Sequence, residues 1–83
     1  MEIMQVTGSI TCTQRVDGLG HMNLRVLRNT KGKESVAVDQ VGASPGNWVF
    51  TASGSAARFA CTNPETLTDL TIAGIIDHWT PDG

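Results

Sequence analysis

Hydrophobic and polar positions alternate with a period of two along most of the chain. Met4, Val6, Gly8, Ile10 and Cys12 alternate with Gln5, Thr7, Ser9, Thr11 and Thr13. That pattern predicts a strand with one buried face. Gly8 in its middle predicts a bend or bulge. Cys12 falls on the apolar set and is expected to be a small buried hydrophobe. Asp17-Gly18 and Gly20 mark a loop. A second strand follows, with Met22, Leu24 and Val26 alternating with Asn23, Arg25 and Leu27. Asn29-Thr30-Lys31-Gly32-Lys33 reads as a turn. Val36 and Val38 define a short third strand, and Gly42 to Gly46 with Pro45 a loop. In the fourth strand Trp48, Phe50 and Ala52 alternate with Val49 and Thr51. The stretch SGSAARFA, residues 53–60, predicts the one short helix, closed by Thr62-Asn63-Pro64. The last strand spans about 70–79. Leu70, Ile72, Gly74 and Ile76 share one face, and Ile75, Asp77 and Trp79 the other.

The predicted fold is all-β with one short helix: a small five-stranded, OB-like antiparallel barrel, one domain over 1–83. Periodicity does not fix the strand order.

Composition adds a constraint. A chain of 83 residues buries only roughly 60–65% of its unfolded surface. Its rings are few: Trp48, Trp79, Phe50 and Phe59, with no Tyr. Large rings usually dominate core burial, so further burial between subunits is expected. The formal charge of −2 excludes a general nucleic-acid binder, which needs a dense basic surface. The charge is uneven. Five of the six basic residues lie between Arg15 and Lys33, whereas only Glu65, Asp69, Asp77 and Asp82 carry charge after Arg58. A basic edge of one subunit meeting an acidic edge of the next is one reading; ordinary solvated surface is the other. No apolar run approaches the ~18 residues of a membrane span. The chain reads as cytosolic with reduced thiols.

The polar residues fit no familiar catalytic or metal-binding spacing. A nucleophile elbow needs Gly-x-Ser-x-Gly, and Ser53 and Ser55 lack that frame. Asp77 and His78 are adjacent on a strand and point to opposite faces, so the acid does not orient the imidazole. Cys12, Cys61, His21 and His78 have no zinc-pair spacing. The expectation is no catalytic residue, no cofactor and no metal. An oligonucleotide surface needs stacking rings in a basic groove, yet no ring precedes Trp48. Free N–H groups at the start of the short helix, with Arg58 one turn on, leave open an anion-binding module. Ser55 is expected to cap that helix. Gly54, Ala56 and Ala57 are small enough to let another backbone approach, either from the same barrel or from another subunit.

The motifs VAVDQVGA (36–43), NWV (47–49), SGSAAR (53–58) and DLTIAGIIDHW (69–79) follow MQVTGSITCT in a fixed order. In this order they resemble the bacterial microcompartment vertex proteins, the pentameric shell proteins of carboxysomes and ethanolamine-utilisation compartments. GSAARF and the ending LTDLTIAGIIDHW are most similar to the alpha-type carboxysome vertex proteins, in particular the second of the two paralogues. The resemblance implies a homopentamer of OB-like barrels in the carboxysome shell, in the cytoplasm. There it would close the polyhedron around ribulose bisphosphate carboxylase and carbonic anhydrase, with hexameric shell proteins as partners and neither nucleic acid nor membrane. Ser53, Gly54, Ser55, Ala56, Ala57 and Arg58 are then an assembly element, at the outer edge or at the central pore, with the edge preferred. Asp77 is the candidate partner of Arg58. The contrasting reading is a free-standing OB-like module for an anionic ligand.

Overall fold

A computed structural model describes residues 1–80. Its elements are β1 (Glu2–Ile10), a 3₁₀ turn (Asp17–Leu19), β2 (Asn23–Asn29), β3 (Glu34–Asp39), β4 (Trp48–Ser53), α1 (Ser55–Phe59) and β5 (Leu70–Ile76). Asp82, one of the four acidic residues after Arg58, lies outside the described residues. The strands close a barrel in the order β1-β2-β3-β5-β4, with β4 returning to β1. The barrel expected as antiparallel closes through one parallel seam, Val38 opposite Thr71 and Asp39 opposite Ile72. A parallel pair needs a long crossover, and β4 with α1 provides it.

The β2–β3 hairpin forms where the turn chemistry placed it. Asn29 Oδ1 accepts the N–H groups of Lys31 and Lys33, and Gly32 takes the left-handed φ of 89° that the turn demands.

Two bulges decide which residues face inward. Val6 lies opposite Leu27, but Gly8 lies opposite Val26, so Thr7 is an extra residue in β1. One extra residue reverses every side chain beyond it. Met4, Val6 and Leu27 therefore point into the barrel. Gly8 and Ile10 point outward with Val26 and Leu24. The single apolar face expected from Met4 to Cys12 is thus split. Cys12 lies beyond the end of β1 and is exposed, not buried. In β5 Phe50 opposes Gly74 while Thr51 opposes Ile72, which makes Ala73 the extra residue. Ile72 turns inward and Gly74 outward, so these two do not share the face expected of them. In β4 the inward residues are Val49 and Thr51, not Trp48 and Phe50.

The interior is aliphatic: Met4, Val6, Leu27, Ala37, Ala43, Val49 and Ile72. Each large side chain buried there stabilises the fold by about 1.5–3 kcal/mol. A second cluster, Leu24, Val38 and Cys61, lies outside β2 and β3 under Ile10, Leu19 and Met22. The loop carrying Gly18 is tied to the segment before β5, since Leu67 N–H donates to the Gly18 carbonyl at 2.8 Å.

Asp39 organises one end of the barrel. Its side chain is fully buried. The carboxylate accepts the N–H groups of Val41, Gly42 and Ala43 and the Nε–H of Arg25 at 3.0 Å. Next to it, Gln40 Oε1 accepts the N–H and the hydroxyl of Thr62.

Gly74 has a steric reason. A Cβ there would lie 2.7 Å from Cζ of Phe50, whose ring covers the glycine. Gly74→Ala is expected to cost about 1–3 kcal/mol through this overlap. The thermal midpoint at fixed protein concentration should fall, and less so in a Phe50→Leu background.

Candidate functional site

The SGSAAR stretch is built where β4 leaves the sheet. Ser53 still pairs with Leu70, and the N–H of Gly54 donates to the Asp69 carbonyl at 2.9 Å. Gly54 then takes φ 62° and ψ −142°, a conformation that glycine alone adopts readily. The chain turns there from strand into helix. Gly54 itself holds the cap position, and its carbonyl accepts from Ala57 N–H at 3.1 Å. Ser55 is the first helical residue and makes no capping bond. The expected Ser55 cap is displaced by one residue, because the positive φ must fall on the glycine.

Ala57 is fully buried within its own subunit. Its carbonyl accepts the Thr71 hydroxyl at 2.8 Å and the Cys61 thiol at 3.5 Å. These bonds moor α1 to β5. The small side chain thus admits the helix to its own barrel and offers no surface to another subunit. Ser53, Gly54, Ser55, Ala56 and Arg58 are exposed. The Arg58 guanidinium joins neither of the two ion pairs among the described residues, Arg25–Asp39 and Arg28–Glu34. Gly54, Ser55 and Arg58 border an open groove of about 430 Å³ with Leu67, Thr68 and Asp69.

Asp77 is exposed, one residue beyond β5. Ser53 and α1 lie at the Leu70 end of β5, whereas Asp77 follows Ile76 opposite Trp48. Six steps of about 3.3 Å from Leu70 to Ile76 separate the two ends by roughly 20 Å. The structure therefore does not bring Arg58 and Asp77 together within a subunit. The same separation parts Ser55 from His78. Cys12 and His21 border one surface hollow, and Cys61 is buried on Thr71 with its sulfur 3.6 Å from the hydroxyl. Among the described residues no three His, Cys, Asp or Glu side chains converge as metal ligands would. Asp39 is the residue that sequence reasoning missed. An Asp ahead of a glycine turn, as in Asp39-Gln40-Val41-Gly42, is the signal that points to it.

The family model described as ethanolamine utilisation protein EutN/carboxysome matches residues 1–77. The chain belongs to the EutN/CcmL family. The family match takes in the whole barrel, α1 and Asp77. One relative, the carboxysome shell vertex protein CsoS4B of Prochlorococcus marinus subsp. pastoris, is 77% identical over 70 residues, covering 84% of this chain and 96% of that protein. The solved structure of CsoS4B from Halothiobacillus neapolitanus superposes with a TM-score of 0.89 at 52% identity, covering 94% of this chain and all of that one. A further EutN/CcmL-like fold is the pentameric microcompartment shell protein GrpN from Rhodospirillum rubrum. Its TM-score is 0.83 at 29% identity, over 96% and 99% of the two chains.

Proposed function

We propose that this chain is a structural subunit of a carboxysome shell, a homopentamer that occupies the five-fold corners. The observation that carries this reading is the 77% identity, across almost the whole of the relative, to a carboxysome shell vertex protein. The fold-level match to a pentameric shell protein supports the ring. The role follows from geometry. A sheet of six-fold units alone is flat, and five-fold units close it into a polyhedron. The shell lies in the cytoplasm and encloses ribulose bisphosphate carboxylase and carbonic anhydrase. Such a role needs binding surfaces and no reacting group, and we assign the chain no catalysis.

Within this reading the exposed part of SGSAAR is an assembly surface toward a hexameric shell neighbour. Ser53, Gly54, Ser55 and Ala56 permit close approach, and Arg58 offers its unpaired guanidinium to a carboxylate or carbonyl. Ala57 holds the helix from behind. The preference for the outer edge over the pore rests on Arg58, a long cation suited to anchoring across a contact.

Native mass spectrometry tests the ring. The expected mass is five subunits. A mass of one or two subunits would contradict the vertex role and favour a free-standing anion-binding module. Hydrolysis of esters or phosphates by purified protein, lost on Ser55→Ala or His78→Ala, would overturn the non-enzymatic assignment.

A further inference from the structure

The barrel turns two different apolar surfaces outward. Residues directly opposite one another in neighbouring strands share a face. Across β1, β4 and β5, one outward row is Gln5, Trp48 and Ile76, and the next is Ile3, Phe50 and Gly74. Trp79 folds onto Trp48 edge to face, ring centroids 6.2 Å apart. Three of the four aromatic residues therefore lie on one outer face, and none is in the core. The helix does not shield this face. It covers the Ala52–Thr71 end of the same strands and stops there.

The second surface lies on β2 and β3, where Val26 opposes Val36. Val36 is 48% exposed. Beside it Leu19, Leu24 and Leu67 line a shallow apolar groove of about 220 Å³.

Charge distinguishes the two surfaces. Asp77 stands at the margin of the aromatic face, immediately after Ile76. Beyond the Val26–Val36 pair come the mutually paired Arg28 and Glu34, then Lys31 and Lys33 at the tip of the β2–β3 hairpin, while Asp69 borders the groove on the far side. Asp77, Lys31 and Lys33 join no ion pair among the described residues. A cyclic ring is built from head-to-tail contacts, so each subunit must present two unlike surfaces that match. Aromatic residues concentrate in the buried centre of such contacts, with charges at the rim.

We propose that in the ring the aromatic face of one subunit seats on the Val26–Val36 face of the next, with Asp77 reaching the neighbour's hairpin lysines. This rests on the pentameric reading and names which surfaces the ring consumes. Arg58 itself lies outside both surfaces, in a groove that shares Leu67, Thr68 and Asp69 with the Val26–Val36 face.

Trp48 and Trp79 are the only tryptophans, so their emission reports directly on the aromatic face. Purified pentamers should emit at short wavelength and resist quenching by acrylamide. Val36→Lys changes an exposed position, so circular dichroism should stay barrel-like. Its dissociation midpoint should rise by about tenfold or more, as expected on disturbing an interface centre, and quenching should rise with it. Asp77→Lys should weaken the ring, and Lys31→Asp with Lys33→Asp should restore it. Pentamers whose tryptophans quench as freely as in unfolded chain would overturn the proposal, placing the aromatic face toward other shell proteins. A Val36→Lys pentamer of unchanged stability would overturn it equally. If Val36→Lys does not fold, quenching of the unmodified pentamer decides. An unmodified chain that forms no pentamer would instead overturn the functional reading.

Discussion

Asp39→Ala is expected to lose about 3–5 kcal/mol of stability, the cost of leaving a buried charge and its donors without a partner. The substitution removes four hydrogen bonds at once: those from the Val41, Gly42 and Ala43 N–H groups and from Arg25 Nε. Arg25 keeps its bond to the Ser9 hydroxyl, yet its charge is only partly exposed and loses its counter-ion. The turn from Val41 to Ala43 then has no acceptor, and Ala43, a core residue, is no longer held in place. Asp39→Asn should fall between the two, since the amide retains one acceptor oxygen and brings N–H groups toward existing donors. Chemical denaturation of the two variants beside the unmodified chain checks the order. Equal stability of Asp39→Ala and the unmodified chain would contradict the role given to this carboxylate.

Ala57→Leu is expected to destabilise the subunit itself. Ala57 has no exposed surface, and its own carbonyl is moored to Thr71 and Cys61. A larger side chain must lift α1 from β4 and β5. Overpacking of this kind costs about 1–3 kcal/mol, and every subunit of a ring carries it. Pentamer yield and thermal midpoint should fall together. Arg58→Ala differs in kind, because the side chain is exposed and unpaired within the subunit. It should leave fold and pentamer intact and reduce incorporation into shells. Ala57→Leu pentamers formed in normal yield but excluded from shells would instead place Ala57 at a contact between assembled units. Normal incorporation of Arg58→Ala would remove Arg58 from the edge and favour the pore.

Much of the barrel was legible because alternation and turn chemistry are local. Gly8 marked the bulge beside Thr7, Asn29 to Lys33 marked the hairpin, and SGSAARFA marked the one helix. The consequences of the bulges were not legible. An extra residue at Thr7 or Ala73 leaves the apolar–polar rhythm intact while reversing the face, so the rhythm alone places Cys12 inward and groups Gly74 with Ile72. Hydrophobicity also misdirects in β4. Trp48 and Phe50 look like core residues, but the barrel interior is filled by Met4, Leu27, Val49 and Ile72, and the rings lie outside. At the candidate site, residue type does not distinguish a buried alanine from an exposed one. Ala56 and Ala57 are neighbours with opposite fates, decided by which side of α1 meets β5. Arg58 and Asp77 lie at opposite ends of β5 within one subunit, because strand length, not motif order, sets how far apart two motifs lie.

As a vertex subunit, this chain would fill the five-fold corners of a carboxysome shell. Electron microscopy of shells assembled with this chain as their sole vertex protein, beside shells assembled without it, reads that position out. A pentameric density is expected at each five-fold corner when the chain is present, and open or irregular corners when it is absent. Corners closed equally well in both preparations would contradict the vertex role.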